Sequence, residues 1–310
     1  MNTGSNAAIH RLWSDPRARI AIALLGVMVL LAVFGPLFLV APDAPIGIPH
    51  SPPSRAHWLG TTGQGQDVLA QTLVGARSSL LLGFFVGIVA TLFGAFVGVI
   101  AGFAGRTADA LLSLVINVFL VLPGLPLAIV LAAYLPSSPL TVAFVLILTG
   151  WAWNARVMRS QTLALRERDF VLAARVSGAG SGYIVLRELL PNMTSLLVAQ
   201  MIGSTTYAIG AEVGLEFLGL GDVSRISWGT NLYWATNDSA LLTGAWWTFV
   251  PTGVCVGLVG LSLALLATSF DELSNPRLGY ERPFNAFLAR AGVKRGFSTP
   301  VVRAASGTAR

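Results

Sequence analysis

The sequence predicts an all-α, polytopic membrane protein with six membrane-spanning helices. Apolar residues make up 54% of its 310 residues and charged residues only 11%, and the mean hydropathy is +0.71. A soluble protein of this length would need far more surface charge. Long uncharged runs alternate with short segments rich in arginine, proline or glycine, which is typical of membrane spans joined by loops.

The first expected span is residues 20–40, which follow a polar N-terminal segment, residues 1–19. The run holds no charge, and at about 1.5 Å per residue its helix would be about 31 Å long, enough to cross a bilayer. It is longer than the apolar region of a usual signal peptide and lacks a convincing cleavage site. We therefore expect a retained helix.

A proline pair is expected to distort the third span. Residues 110–155 carry no charge and are too long for one helix, and Pro136 and Pro139 divide them. Pro123 and Pro126 lie within the first part, where they should kink or unwind it. Such breaks are tolerated where the backbone faces protein or a water-filled cavity. The two prolines are candidate residues of a translocation path, and a simple packing kink is the alternative.

The full organisation follows from the remaining uncharged runs. The spans are predicted at 20–40, 79–102, 110–134, 139–155, 190–212 and 246–270, with loops at 41–78, 156–189 and 213–245 and a basic, disordered tail at 281–310.

Lysine and arginine fix the predicted orientation. With six spans both termini share one side, and only Arg55, Arg77 and Arg225 fall on the other. The positive-inside rule then makes both termini cytoplasmic, as expected of a multi-pass protein of a bacterial inner membrane. The same distribution explains the net charge of +6 without nucleic acid as a partner.

Several kinds of chemistry are excluded. The one lysine, Lys294, follows Val293, so no phosphate-binding loop of the G-x-x-x-x-G-K-[ST] type exists and the chain does not hydrolyse ATP. One cysteine and three scattered histidines exclude a disulfide framework and a metal site built from thiolates or histidines. We expect no cofactor and no catalytic residues.

One polar segment, residues 166–192, interrupts the apolar pattern. Residues 166–177 predict a short helix, and Gly178, Gly180 and Gly182 end it, since glycine takes the positive φ that a helix end requires. A second short helix is expected from about Tyr183, with Pro191 at the entry to the next span. A helical hairpin outside the membrane suits docking on a partner, although a plain connector is the alternative.

The spacing of this segment resembles the EAA loop of ABC-importer permeases. The family's glutamate is replaced by Leu172, and Glu188 stands where the pattern has an apolar residue or histidine. The resemblance implies a coupling helix that sits in a cleft of a cytoplasmic ATPase. The residues that would carry this contact are Phe170, Leu172, Ala173, Ala174, Gly178, Ala179, Glu188 and Pro191.

Three further stretches narrow the resemblance to the C-type permease subunit of dipeptide/oligopeptide (peptide/nickel) importers. They are residues 57–80, residues 212–229 and residues 271–277, and the likeness extends over about 20–280. It implies the type I importer fold, a second permease subunit, two cytoplasmic ATPase subunits and an extracytoplasmic substrate-binding protein. Peptides are the implied substrate, with oligosaccharides or nickel as alternatives.

Three other functional classes remain open. A passive channel needs no coupling helix, and a secondary transporter usually carries acidic residues at mid-membrane, where these spans have none. A structural anchor is the third class.

The aromatic stretch from Tyr233 to Trp247 could line a sugar path by ring stacking, but tryptophan is also the usual interfacial anchor and we favour that role.

Two carboxylates lie near the outer end of the fifth span. Glu212 and Glu216 are four residues apart and share one helical face. A charge in mid-membrane costs at least about 2.5–3.5 kcal/mol, so these side chains should face a cavity or the interface. They either form a rim of the substrate path near an outer gate or are hydrated at an interfacial helix end, and we favour hydration.

Overall fold

The computed structural model describes residues 15–38 and 42–274, which form a bundle of long helices. No β-strand occurs in these two stretches, where Thr61 and Asp67 form an isolated bridge. The basic tail, 281–310, and most of the N-terminal segment, 1–19, lie outside the described residues. The main helices are α1 Pro16–Phe34, α2 Val68–Phe103, α3 Arg106–Val121, α4 Gly124–Tyr134, α5 Pro139–Leu165, α6 Asp169–Val176, α7 Thr194–Phe217, α8 Trp228–Asn237 and α9 Val250–Ser274.

Side-chain caps fix where α2 and α5 begin. The Asp67 carboxylate accepts a hydrogen bond from the backbone N–H of Ala70 (3.1 Å), so α2 starts at Val68 rather than near residue 79. Ser138 caps α5 in the same way, by accepting from the N–H of Thr141 at 3.1 Å. The α2 helix is longer than the predicted second span, 79–102, and the bounds of the span within it stay a prediction.

The α5 helix also continues past its predicted end at residue 155. Arg159 lies in this extension and pairs with Asp109 of α3, with 2.8 Å between Nη2 and Oδ2. Arg166, at the end of α5, donates from Nη1 to the carbonyl of Gly102 (2.9 Å). Both arginines are therefore held against neighbouring helices, and the polar segment predicted to be a loop from residue 156 is helical up to Leu165.

The helices that could cross a membrane can be compared with the six predicted membrane spans. Among the described residues, Pro16–Leu37, Val68–Phe103, Pro139–Leu165 and Trp246–Phe270 are long and apolar enough to cross a membrane. The pair α3 and α4 adds a fifth, bent by 84° at residues 122–123, which confirms the kink that the prolines predict. The 24-residue α7 is long enough, but it is not among these apolar spans, and its crossing stays a prediction.

Glycines on α2 bring it close to two other helices. Gly87 faces α7, where an added Cβ would lie 2.7 Å from the Cα of Thr205. Gly94 faces α5, with such a Cβ 2.5 Å from the carbonyl oxygen of Trp151, and Gly98 lies one turn further along the same contact. Small residues at intervals of four let helix backbones approach in this way. The glycine face makes α2 the centre of the bundle.

The segment from residue 42 to residue 67 packs on the end of the bundle at which α2 begins. The Trp247 indole N–H donates to the carbonyl of Thr61 (3.2 Å), and the His57 ring lies 2.9 Å from the Asp67 carboxylate (Nδ1 to Oδ2). His50 reaches the backbone oxygen of Asp238 at 3.1 Å (Nε2 to O). The bonds to Trp247 and Asp238 tie the loop to the segment that precedes α9, and the His57–Asp67 contact lies within the loop.

Candidate functional site

The α6 helix has one buried and one open side. Asp169 in its first turn and Arg175 in its last turn match the helix dipole. Val171 is fully buried, whereas Leu172 is 42% and Val176 is 91% exposed. An apolar surface thus faces outward on a helix whose other side is fixed.

The turn after α6 has the conformation that its glycine predicts. Gly178 has φ +82°, which confirms the expected left-handed conformation at this position. The N–H groups of Gly178 and Ala179 donate to the carbonyls of Arg175 and Ala174, both at 3.0 Å. These bonds satisfy carbonyl groups at the end of α6 and set the direction in which the chain leaves it.

The helix expected after this turn is irregular. It comprises Ser181–Tyr183, a π-helical turn at Ile184–Leu189 and the three residues Leu190–Asn192. Pro191 lies inside the last piece, and α7 begins only at Thr194 after a break at Met193. Proline has no N–H to donate to the carbonyl one turn earlier, which fits the wider turn that precedes it. The single short helix predicted here was too simple.

A buried cluster joins α6 to the long helices. Val171 shares it with Val99 of α2 and Met158 of α5, together with Ile184, Leu189 and Met193 of the segment that follows. Near the other end of α6 the Arg175 guanidinium lies 5.5 Å from the centre of the Phe103 ring, a cation–π contact. Val171 and Arg175 thus pack α6 on the part of the bundle that α2 and α5 form.

The other residues predicted to contact an ATPase lie around this helix. Ala174 and Ala179 are half-buried and pack on the cluster, while Phe170 and Ala173 are exposed. Glu188 is half-buried, and its backbone oxygen accepts from the Asn192 side chain at 2.6 Å. The role of this set in coupling stays a prediction.

A cleft of about 730 Å³ opens between the middles of α2, α5 and α7, beside the break between α3 and α4. Pro123 and Pro126 do not line it, but their neighbours Leu122 and Gly124 do, so the path role of the prolines stays a prediction. None of the lining residues is charged. The lining residues are Val86, Ala90, Phe119, Leu120, Leu122, Gly124, Leu146, Thr149, Gly150, Trp153, Asn154, Val157, Leu196, Ala199, Gln200, Gly203, Ser204 and Tyr207.

Neutral polar side chains of α5 and α7 meet in this cleft. The Asn154 amide donates to the Ser204 hydroxyl at 2.9 Å, and that hydroxyl lies 3.3 Å from the Asn154 amide oxygen. Gln200, one turn before Ser204, has both amide atoms buried without a protein partner. The sequence analysis missed these residues, because neutral polar groups form no charge pattern. The spacing of Gln200, Ser204 and Tyr207 on one face of α7 could have indicated them.

The two carboxylates of α7 are buried, and the favoured expectation of hydration was wrong. Glu212 is 1% and Glu216 5% exposed. Ser79 of α2 donates to Glu212 Oε1 at 3.0 Å, and the Ser227 hydroxyl donates to Glu216 Oε2. Hydroxyl groups from two neighbouring elements replace water at one oxygen of each carboxyl group, while Glu212 Oε2 is buried without a hydrogen-bond partner.

These contacts connect α2, α7 and α8. The backbone N–H of Trp228, the first residue of α8, donates to the Ser79 hydroxyl at 3.1 Å. Neither Glu212 nor Glu216 lines the central cleft, and neither does Trp234 or Trp247. A place for the carboxylates on the rim of a substrate path stays a prediction.

Comparisons with known proteins agree with this architecture. The family model described as "Binding-protein-dependent transport system inner membrane component" matches residues 94–280, which include the α6 segment and much of the cleft. The chain is 30% identical to the oligopeptide transport system permease protein OppC of Bacillus subtilis (strain 168), over 83% of this chain and 85% of that protein. The dipeptide transport system permease protein DppC of the same strain is 32% identical, over 83% and 82%. OppC of Mycobacterium bovis (strain ATCC BAA-935 / AF2122/97) is 35% identical, over 77% and 84%.

The matched region covers more than half of the chain, and the similar proteins are covered over most of their own length. The resemblance inferred from the sequence is thereby confirmed, as is the all-α, multi-pass membrane fold. This chain belongs to the family of inner membrane components of binding-protein-dependent transport systems.

Proposed function

We propose that the chain is one permease subunit of an ATP-driven importer that carries dipeptides or oligopeptides across the inner membrane. The names of the similar permeases favour peptides over oligosaccharides and nickel, and they favour an importer over a passive channel, a secondary transporter or a structural anchor. A second permease subunit completes the path. Two cytoplasmic ATPase subunits supply energy, and an extracytoplasmic binding protein delivers the substrate.

The geometry of α6 is the observation that carries this proposal. An exposed apolar surface that includes Leu172 and Val176 would dock on an ATPase. The buried side, through Val171 and the Arg175–Phe103 contact, would pass the motion of the ATPase to α2 and α5. A rigid link of this kind moves packed helices as bodies rather than bending them.

Reconstitution of the complete importer tests the proposed function. The chain, its sister permease, both ATPases and the binding protein would be placed in proteoliposomes and supplied with radiolabelled trialanine. We expect uptake that needs both ATP and the binding protein. Equal flux without ATP would contradict an importer, and uptake of maltotriose or Ni²⁺ in place of trialanine would contradict the peptide assignment. An ATPase variant unable to hydrolyse ATP is the control.

We further propose cytoplasmic termini and a cytoplasmic α6, and labelling of single cysteines tests this orientation. The single cysteines are introduced into a Cys255→Ala background. A membrane-impermeant maleimide added to spheroplasts whose inner membrane is intact should label Ser54→Cys. It should label Ser181→Cys only after the membrane is opened. Both positions are exposed on the protein, so a difference reports the side of the membrane. The opposite pattern would invert the topology.

A further inference from the structure

The central cleft has polar groups in an otherwise apolar wall. It lies about halfway along α5, which is long and apolar enough to cross a membrane, and beside the first half of α7, and aromatic side chains such as Phe119 and Trp153 form part of its wall. No charged side chain lines it. A cleft of this kind is unsuited to a metal ion or to an ionised group, which would need a partner of opposite charge there.

Gln200 is the feature that points to a ligand. Its amide oxygen and nitrogen are both buried, and neither has a hydrogen-bond partner in the protein. The nearby Asn154 is different, because its amide is already engaged with the Ser204 hydroxyl. A buried amide without partners costs about 1–3 kcal/mol. Gln200 lines the cleft, and its amide is a donor and an acceptor without a protein partner that a turn of the side chain would present to a ligand there.

We propose that Gln200 binds a main-chain amide group of the peptide as it passes through the membrane. A peptide unit offers one N–H and one carbonyl, which match the oxygen and nitrogen of a glutamine side chain. The apolar wall would accept different side chains without selecting among them. This inference rests on the proposed function and adds the group of the substrate that is recognised.

A transmembrane helix of the sister permease is the competing occupant of the cleft. The main-chain groups of a helix are already bonded to one another, so such a helix could bond Gln200 only through a polar side chain. An extended peptide keeps these groups free. The unpaired amide thus favours the substrate over a helix, and the experiment includes the helix as an outcome.

The test compares two peptides on matched variants of the complete importer. Gln200→Met keeps the length of the side chain and removes both polar atoms, and Gln200→Asn keeps the amide but shortens its reach. Thr206→Val is the control, since Thr206 lies on the same helix outside the cleft and bonds its own backbone at Ile202 (2.9 Å). The peptides are trialanine and trialanine that is methylated at the amide nitrogen of its central residue. Both are supplied at a saturating concentration of binding protein.

We expect Gln200→Met to lower the saturated uptake of trialanine about three- to tenfold, the effect of losing one or two neutral hydrogen bonds. It should also lose the preference for trialanine over the N-methylated peptide. Gln200→Asn should show a weaker loss of the same kind, and Thr206→Val should match the wild type. The binding protein's own preference between the two peptides does not affect the comparison of variants, because the same binding protein is used for every variant.

Two results would overturn the inference alone. One is the wild-type preference for unmethylated peptide retained in Gln200→Met. The other is reduced recovery of the sister permease with Gln200→Met while uptake per assembled complex is unchanged, which would place Gln200 in the subunit interface. Absence of trialanine uptake by the wild-type importer would overturn the proposed function as well, so the two failures are distinguishable.

Discussion

Gly178→Val is expected to abolish ATP-driven uptake while membrane insertion and pairing with the sister permease stay normal. Gly178 has φ +82°, and a β-branched residue in this region is strained by about 1–3 kcal/mol. The turn would relax to another conformation and aim α6 differently. Because the turn lies beyond the ends of the long helices, the bundle should be unaffected. Uptake in proteoliposomes and recovery of the assembled complex measure the two effects.

Gly180→Val is the matched control for this variant. Gly180 is two residues further on, in an extended conformation with φ −69° and ψ 156°, which valine adopts without strain. At both positions an added Cβ would meet nothing within 4 Å, so the variants differ in backbone strain rather than in steric contacts. Wild-type uptake by Gly178→Val, or equal losses in both variants, would contradict the role given to the turn.

The spans of the fold were predictable where apolar length decided the structure. Uncharged runs identified the cores of α1, α2, α5 and α9, because a bilayer requires about twenty apolar residues. The ends of helices were not predictable in this way. Charged residues such as Arg159 can continue a helix when a partner, here Asp109, neutralises them, and that partner lies 50 residues away in the sequence.

In the candidate site, too, local features were predictable from the sequence and features that depend on distant residues were not. Gly178 was predictable, since its conformation depends on its own backbone and on a glycine that makes φ > 0 accessible. The burial of Glu212 was not, because it depends on Ser79, a residue 133 positions away. The same holds for Gln200, whose significance comes from what the fold places beside it. Local conformation is encoded in a short stretch, whereas polar burial is a property of the assembled bundle.

Gly98→Val is expected to have the largest effect on stability, because it strikes a contact between two helix backbones. A Cβ at this position would overlap the carbonyl oxygen of Ala155 and lie 3.0 Å from the backbone nitrogen of Arg159. Backbone atoms cannot move away by changing rotamer, so α2 and α5 would have to separate. Overpacking costs typically about 1–3 kcal/mol, and here the value should lie at or above the upper end.

Separation of these helices should also loosen the link to α6. Gly102 lies one turn beyond Gly98, and its carbonyl accepts the bond from Arg166 at the end of α5. We therefore expect Gly98→Val to lower the yield of monodisperse protein and its thermal midpoint, measured by fluorescence-detected size exclusion after heating. Gly26→Val on α1 is the control, since an added Cβ there meets nothing within 4 Å. Equal midpoints for the two variants would mean that α2 and α5 can move apart without cost, and the close glycine contact would then not be what holds the centre of the bundle together.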